Sequence, residues 1–222
     1  MRLTLDEICI GDGPGASLPP TSAVATPAAP GVAAVETEGA PTLASLIAGG
    51  RMAPEHGRVL LDGVDDPAAI RAAFALVDTP TVAEPFADLS VLTVVREDLA
   101  LAGHRGSREN ARRFLDAVGL ADFEDTRMKA LTTRERVRLL SELAVLRPGI
   151  RGLVITSPER HGGHTDDWFD VVRDLGARGY TVLLVTGVAA GLHLRSLLPA
   201  SLPVDDGVDD SPSAPAVESR ES

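Results

Sequence analysis

LTTRERVRLLSELAVLRPGIRGLVITSP, residues 131–158, is the stretch from which the fold can be read. Thr132 followed by Glu135 fits a capping box, in which hydroxyl and carboxylate each satisfy an orphan backbone donor at a helix start. Val137, Leu139, Leu140, Leu143, Ala144 and Leu146 then make one apolar stripe, with Arg134, Glu135, Arg138 and Glu142 off it. Pro148 and Gly149 end the helix, and Gly152 to Ile155 reads as a strand covered on both faces, as in a parallel sheet. Ligands of open α/β sheets sit outside the carboxyl ends of the strands. That places Thr156, Ser157 and Pro158 on the functional rim.

Toward the carboxyl terminus, Thr165 is expected to cap a helix reaching Ala177, and Gly179 to end it. Tyr180 to Thr186 (YTVLLVT) is β-branched or apolar almost throughout and reads as a second buried strand. A short helix over Gly191 to Leu198 follows. Residues 203–222 are Asp, Glu, Ser, Pro and Ala in the main and are expected to be a disordered acidic tail.

Toward the amino terminus, residues 1–31 are expected to hold an edge strand, Arg2 to Ile10, and a loose Pro/Ala/Gly-rich loop, Gly11 to Gly31. Val32 to Val35 reads as a strand, Pro41 to Ala48 as a helix closed by Gly49 and Gly50, and Arg58 to Asp62 as a strand. Pro67 to Ala73 is helical behind an aspartate cap, Phe74 to Asp78 is a strand, and helices cover Thr93 to Ala102 and Ser107 to Val118. This alternation predicts an α/β domain built on a parallel sheet.

Composition narrows the function classes. A net charge of −11 and a pI near 4.8 argue against nucleic acid or an anionic lipid surface as the main partner. The single cysteine, Cys9, excludes an internal disulfide and a thiolate zinc cluster. No stretch is long and apolar enough to span a bilayer, and the first residues lack a signal-peptide core, so the expectation is a soluble, cytoplasmic protein. There is one lysine, Lys129, one asparagine, Asn110, and no glutamine.

The order of segments resembles the nucleotide-binding subunit of ABC transporters from about Pro30 to Thr186. The matching text is Thr42-Leu43 to Ala48-Gly49, PEHGRVLLDG (54–63), LTVVREDL (92–99), VGLAD (118–122), Leu131 to Pro148, Leu153 to Pro158, and Val182 to Thr186. The resemblance implies a P-loop-NTPase-like fold: a mainly parallel sheet flanked by helices, within a domain over 32–202. It also implies an ABC-type helical subdomain over about 79–147.

The chemical positions of that family depart from its pattern. A phosphate loop needs glycines that let backbone donors converge, and a lysine as point charge. In VETEGAPTL, Gly39 and Thr42 remain as the family-equivalent cofactor positions, but Ala40 stands for the lysine and Pro41 for the magnesium-binding hydroxyl. The segment also reads as too short for the loop, and Glu36 and Glu38 set negative charge where phosphates would dock. Thr156-Ser157 replaces the Asp-Glu pair, Gly187 the histidine, and Thr133-Arg134 the signature glycines, while the glutamine after Phe74 to Asp78 is missing. Each lost charge-assisted contact is worth about 1.5–3 kcal/mol. The resemblance thus implies a degenerate cassette, a pseudo-ATPase with no catalytic residue and no cofactor, weak ATP binding being left open. Its expected partners are a membrane permease or an intact ABC ATPase subunit, as a hetero- or homodimer peripheral to the inner face of the cell membrane. In the family the 79–103 segment faces the permease, which makes Phe86, Leu89, Leu92 and Val95 contact candidates against the plainer reading of a loop packed on its own domain.

Two other readings stay open at this point. One is a functional ATP-hydrolysing subunit. The other is an unrelated α/β metal-dependent enzyme using His161, His164 and Asp166, against which stands an exposed loop whose Asp166 and Asp167 stabilise a helix start. Glu159 is a candidate substitute for the missing glutamate, and Arg134, Arg136 and Arg138 for an anion grip, Arg136 and Arg138 being expected on a solvated helix face. Ser157 lacks a histidine at a telling spacing, and His56, His104 and His193 form no pattern.

Overall fold

The computed structural model describes residues 1–36 and 39–198. Among the described residues the seven strands are β1 (Leu3–Ile10), β2 (Leu18–Ala25), β3 (Gly31–Ala34), β4 (His56–Leu61), β5 (Phe74–Val77), β6 (Gly152–Thr156) and β7 (Thr181–Thr186). Helices are α1 (Ala40–Ala48), α2 (Pro67–Ala73), α3 (Val91–Leu101), α4 (Arg108–Ala117), α5 (Thr133–Val145), α6 (Thr165–Ala177) and α7 (Val188–Leu197). The strands divide into a parallel sheet of order β3-β7-β6-β5 and an antiparallel sheet of order β2-β1-β4.

The organising stretch folds as its pattern predicts. Thr132 Oγ1 accepts from the Glu135 amide at 3.3 Å and the Glu135 carboxylate accepts from the Thr132 amide at 2.8 Å, closing the capping box of α5. Strands β6 and β7 are buried at every position, as expected for central strands of a sheet covered twice. Alternate residues serve opposite cores. Leu153, Ile155, Val182 and Leu184 face Trp168, Phe169 and the apolar stripes of α3 and α5. Val154, Leu183 and Val185 face Ala44 and Ile47 of α1 together with Leu3, Leu5 and Leu18 of the antiparallel sheet. The pairings Val77 with Ile155, Thr156 with Val185, and Ala34 with Thr186 bring the carboxyl ends of all four parallel strands to one edge.

The first 31 residues differ from expectation in two ways. β1 is the central strand of its sheet rather than an edge, hydrogen-bonded to β2 on one side and β4 on the other. A bulge at Glu7, with φ of +49°, shifts its alternation so that Leu3, Leu5 and Ile8 all point inward. Within the expected loose loop, residues 18–25 form β2. Pro19 and Pro20 made this run look unstructured; β2 pairs only with β1, and an edge strand tolerates missing amide donors.

Three helix starts also shift. Behind the Ser90 cap, α3 begins at Val91, two residues ahead of the expected start, α7 begins at Val188 rather than Gly191, and His164 rather than Thr165 is the N-cap of α6. The caps at Asp66 and Ser107 are as expected, each accepting from backbone amides one turn on. The expected acidic tail, 203–222, lies outside the described residues. Among the described residues, no helix is long and apolar enough to cross a membrane.

Candidate functional site

The shared edge of carboxyl strand ends is where a ligand of this sheet type belongs. Its side chains are bonded mainly to one another. At its centre, Thr156 at the end of β6 places Oγ1 2.7 Å from Ser45 Oγ of α1 and 2.8 Å from Thr79 Oγ1 beyond β5. All three residues are fully buried, so hydroxyls satisfy hydroxyls across three elements. The next residue, Ser157, turns sharply with φ of +44°, and its amide donates to Val185 O at 2.7 Å. A β-carbon in that region is strained. Ser157→Gly is expected to raise stability by up to about 1 kcal/mol, measured by urea denaturation, since relief of strain exceeds the added chain entropy.

Beside the hydroxyls lies a buried ion cluster. Asp78, one residue past β5, receives both prongs of the Arg136 guanidinium, Nε at 2.8 Å and Nη2 at 2.7 Å. Arg136 is 2% exposed and Asp78 3%. Arg136 Nη1 donates to Met128 O at 3.2 Å, so the guanidinium is held on three sides. His161 Nε2 lies 2.8 Å from Asp78 Oδ2, and Arg160 Nη2 donates to Asp78 O at 2.6 Å while pairing with Glu84 at 3.2 Å. Arg160 Nη1 also donates to Thr156 O at 2.6 Å, joining cluster and hydroxyl chain. Burial alone would raise the Asp78 carboxyl; hydrogen bonds from His161 and Arg136 and the charges of Arg160 and Arg136 outweigh it and hold it at about 2.

Arg136 was expected on a solvated face and is instead the most buried cation of the site. The signal was in the helix pattern. Arg136 stands three residues after Thr133 and four before Leu140, on the stripe that faces the core. A charge on a buried stripe calls for a counterion, and Asp78 ends a strand buried at every position.

The trio His161, His164 and Asp166 does not converge. His161 turns to Asp78, and Asp166 Oδ1 lies 3.3 Å from His193 Nε2. The His164 amide donates to Asp167 Oδ2 at 3.3 Å, so this carboxylate serves the helix start, as the plainer reading had it. Among the described residues, Asp78, Glu84 and His161 are the group close enough to share an ion. Two guanidiniums already neutralise those carboxylates, which leaves no charge for a dication. Glu159, the candidate substitute for the family's glutamate, turns to the end of β7, where its Oε1 accepts from the Gly187 amide at 2.7 Å. Arg134 pairs with Asp170 and is not a free anion grip.

Gly39 and Thr42 lie in the first turn of α1, at the carboxyl end of β3. Gly39 is left-handed with φ of +84° and offers no side-chain cap. Only residues 35–39 separate β3 from α1. Ala40 is fully buried, and Pro41 removes one of the first amide donors. Thr37 and Glu38 lie outside the described residues. Of the contact candidates on the 79–103 segment, Phe86 is 83% exposed, whereas Leu92 and Val95 are core and Leu89 is packed against it, because α3 turns its stripe inward.

No protein-family model matches the chain, and no curated protein matches it. Solved structures do. An ATP-binding subunit of an ABC transporter is similar at 17% identity with a TM-score of 0.55, over 86% of this chain and 81% of that one. A nucleotide-free ATP-binding cassette from an ABC transporter gives 18% identity and a TM-score of 0.59, covering 87% and 85%. An ATP-binding cassette of an ABC transporter in its ADP conformation gives 19% identity and a TM-score of 0.60, covering 84% and 82%. The chain has the fold of an ABC ATP-binding cassette, of the P-loop NTPase kind.

Proposed function

We propose that this chain is a non-catalytic cassette, a pseudo-ATPase that serves a structural or regulatory role beside a membrane permease or an intact ATPase subunit. The carrying observation is Thr156. Where the resemblance puts the carboxylate of a magnesium shell, a buried hydroxyl is shared between Ser45 and Thr79. Hydroxyls at neutral pH neither balance a dication nor act as a base toward water. Ala40 and Pro41 at the start of α1 support the same reading, since they supply neither the ammonium nor the full set of amide donors for phosphate.

Titration calorimetry with magnesium-ATP, followed by phosphate release, tests it. Loss of two or three charge-assisted contacts predicts a Kd weaker than about 1 mM and no turnover. Micromolar binding with turnover that survives removal of contaminating ATPases would establish the competing reading, a functional ATP-hydrolysing subunit, which the shared fold favours. The partner half of the proposal is tested separately by capture from solubilised membranes. An integral membrane protein or intact cassette should co-purify, and recovery of neither removes that half.

A further inference from the structure

A recess of about 450 Å³ lies at the opposite edge of the parallel sheet, beside the amino ends of β3 and β7. It is enclosed by the turn that precedes β3, the last turns of α6 and the end of α7. The turn is held in place. Thr26 and Ala29 exchange backbone bonds of 2.9 and 3.2 Å, and Gly176 of α6 lets the turn approach, since a β-carbon there would stand 2.8 Å from Pro27 O. Pro27, Pro30, Leu197 and Leu198 give the recess aliphatic walls, and Phe169 adds its ring. Among the described residues that line it, the one charged side chain is Arg173. Arg173 is exposed, and its guanidinium carbon sits 4.9 Å from the centre of the Phe169 ring. Among the described residues it has no carboxylate within 4 Å. Its neighbours on α6, Asp170 and Asp174, pair instead with Arg134 and Arg178.

Apolar walls with a single unpaired cation at the rim are complementary to an amphipathic monoanion, and the volume falls in the range of small-molecule sites. The chemistry selects further. Arg173 covers the face of Phe169, whose side chain is otherwise buried, so an occupant meets aliphatic rather than aromatic surface. One guanidinium balances one charge, and its parallel N–H donors match a planar carboxylate. A phosphate would bring a second negative charge beside the carboxyl end of α6, where the helix dipole is already negative. We propose that this recess binds an aliphatic monocarboxylate, its chain against Pro27, Pro30, Leu197 and Leu198 and its head on Arg173. The occupant joins the end of α7 to α6 and to the 26–29 turn, three segments remote from one another in the chain.

Titration of the full chain with octanoate, and with octan-1-ol as the uncharged control, tests this by amide NMR. The amides of Ala28, Phe169, Ala177 and Leu197 should shift saturably with octanoate, with a Kd on the order of 1 mM for a ligand of about ten non-hydrogen atoms. Octan-1-ol should bind the parent more weakly than octanoate. Arg173→Met keeps an apolar stem at an exposed position; it should weaken octanoate by about fivefold or more and leave octan-1-ol within about twofold. Arg173→Lys should recover part of the loss, because it restores the charge without the fork. Absence of saturable shifts at these amides, an alcohol that binds the parent as well as the acid, or octanoate binding unchanged in Arg173→Met would each overturn the proposal. Shifts at the same amides that follow protein concentration without octanoate would also overturn it, because the occupant would then be a second copy. Octanoate is no analogue of a nucleotide and the recess lies across the sheet from the carboxyl strand ends, so this test and the calorimetry fail independently.

Discussion

Arg136→Ala should lower folding stability by about 3–5 kcal/mol, because it leaves the Asp78 carboxylate buried with its bidentate partner gone. Arg160 and His161 remain in contact with Asp78 but cannot replace two prongs at 2.8 and 2.7 Å. At this chain length the loss corresponds to a fall in Tm of roughly 6–20 °C. Replacing both partners by apolar residues, Arg136→Met with Asp78→Leu, should cost less than the single alanine change, since the penalty comes from an orphaned charge rather than from a missing attraction. Urea denaturation of the three proteins decides it. A loss below about 1 kcal/mol for the single variant would mean that the pair is solvated in practice.

The same cluster sets an acid limit. The folded Asp78 carboxyl titrates at about 2 against an ordinary 3.8, so the unfolded chain takes up its proton first as the pH falls. The contribution is therefore complete above about pH 5 and disappears between about pH 4 and pH 2, at a cost of about 2 kcal/mol. Stability of the parent minus that of Asp78→Asn, followed against pH, should fall through that window. A flat difference would show that the carboxyl is not held down.

Thr156→Asp should be the second severe change, at about 3 kcal/mol or more, and added magnesium should not restore what is lost. The new carboxylate would stand where nothing is exposed; the Ser45 and Thr79 hydroxyls offer it two hydrogen bonds, and Arg160, the cation at Thr156 O, is already bonded to that carbonyl, to Asp78 O and to Glu84. Thr156→Ser keeps the hydroxyl and should cost about 1 kcal/mol for its methyl group. Thermal unfolding with and without magnesium chloride separates the possibilities. A Thr156→Asp protein as stable as the parent and further stabilised by magnesium would mean that this edge still accommodates a metal, and the non-catalytic reading would fall.

The parallel sheet was legible because its signals are local and strong. A capped stripe at 3.6-residue spacing and two wholly apolar strands need no tertiary context to be read. Of the N-terminal sheet, β1 and β4 were legible as strands but β2 was not, because it owes its existence to pairing with β1, and its prolines count against a strand anywhere except an edge. The site divides the same way. The residue types at Ala40, Pro41 and Thr156, on which the non-catalytic proposal rests, are visible in the chain. The contacts around them are a matter of distance: Asp78 and Arg136 are 58 residues apart, and Ser45 and Thr156 are 111 apart. Arg136 was misassigned because charge outweighed its place on the stripe; for Leu92 and Val95 it is the plainer of the two readings, packing on their own domain, that holds, because α3 turns them inward.

The Asp78–Arg136 clasp also bears on motion. It ties the end of β5 to the first turn of α5, and through Arg160 to the end of β6. For the start of α5 to swing away from the sheet this buried pair would have to come apart, which strands a charge in the interior.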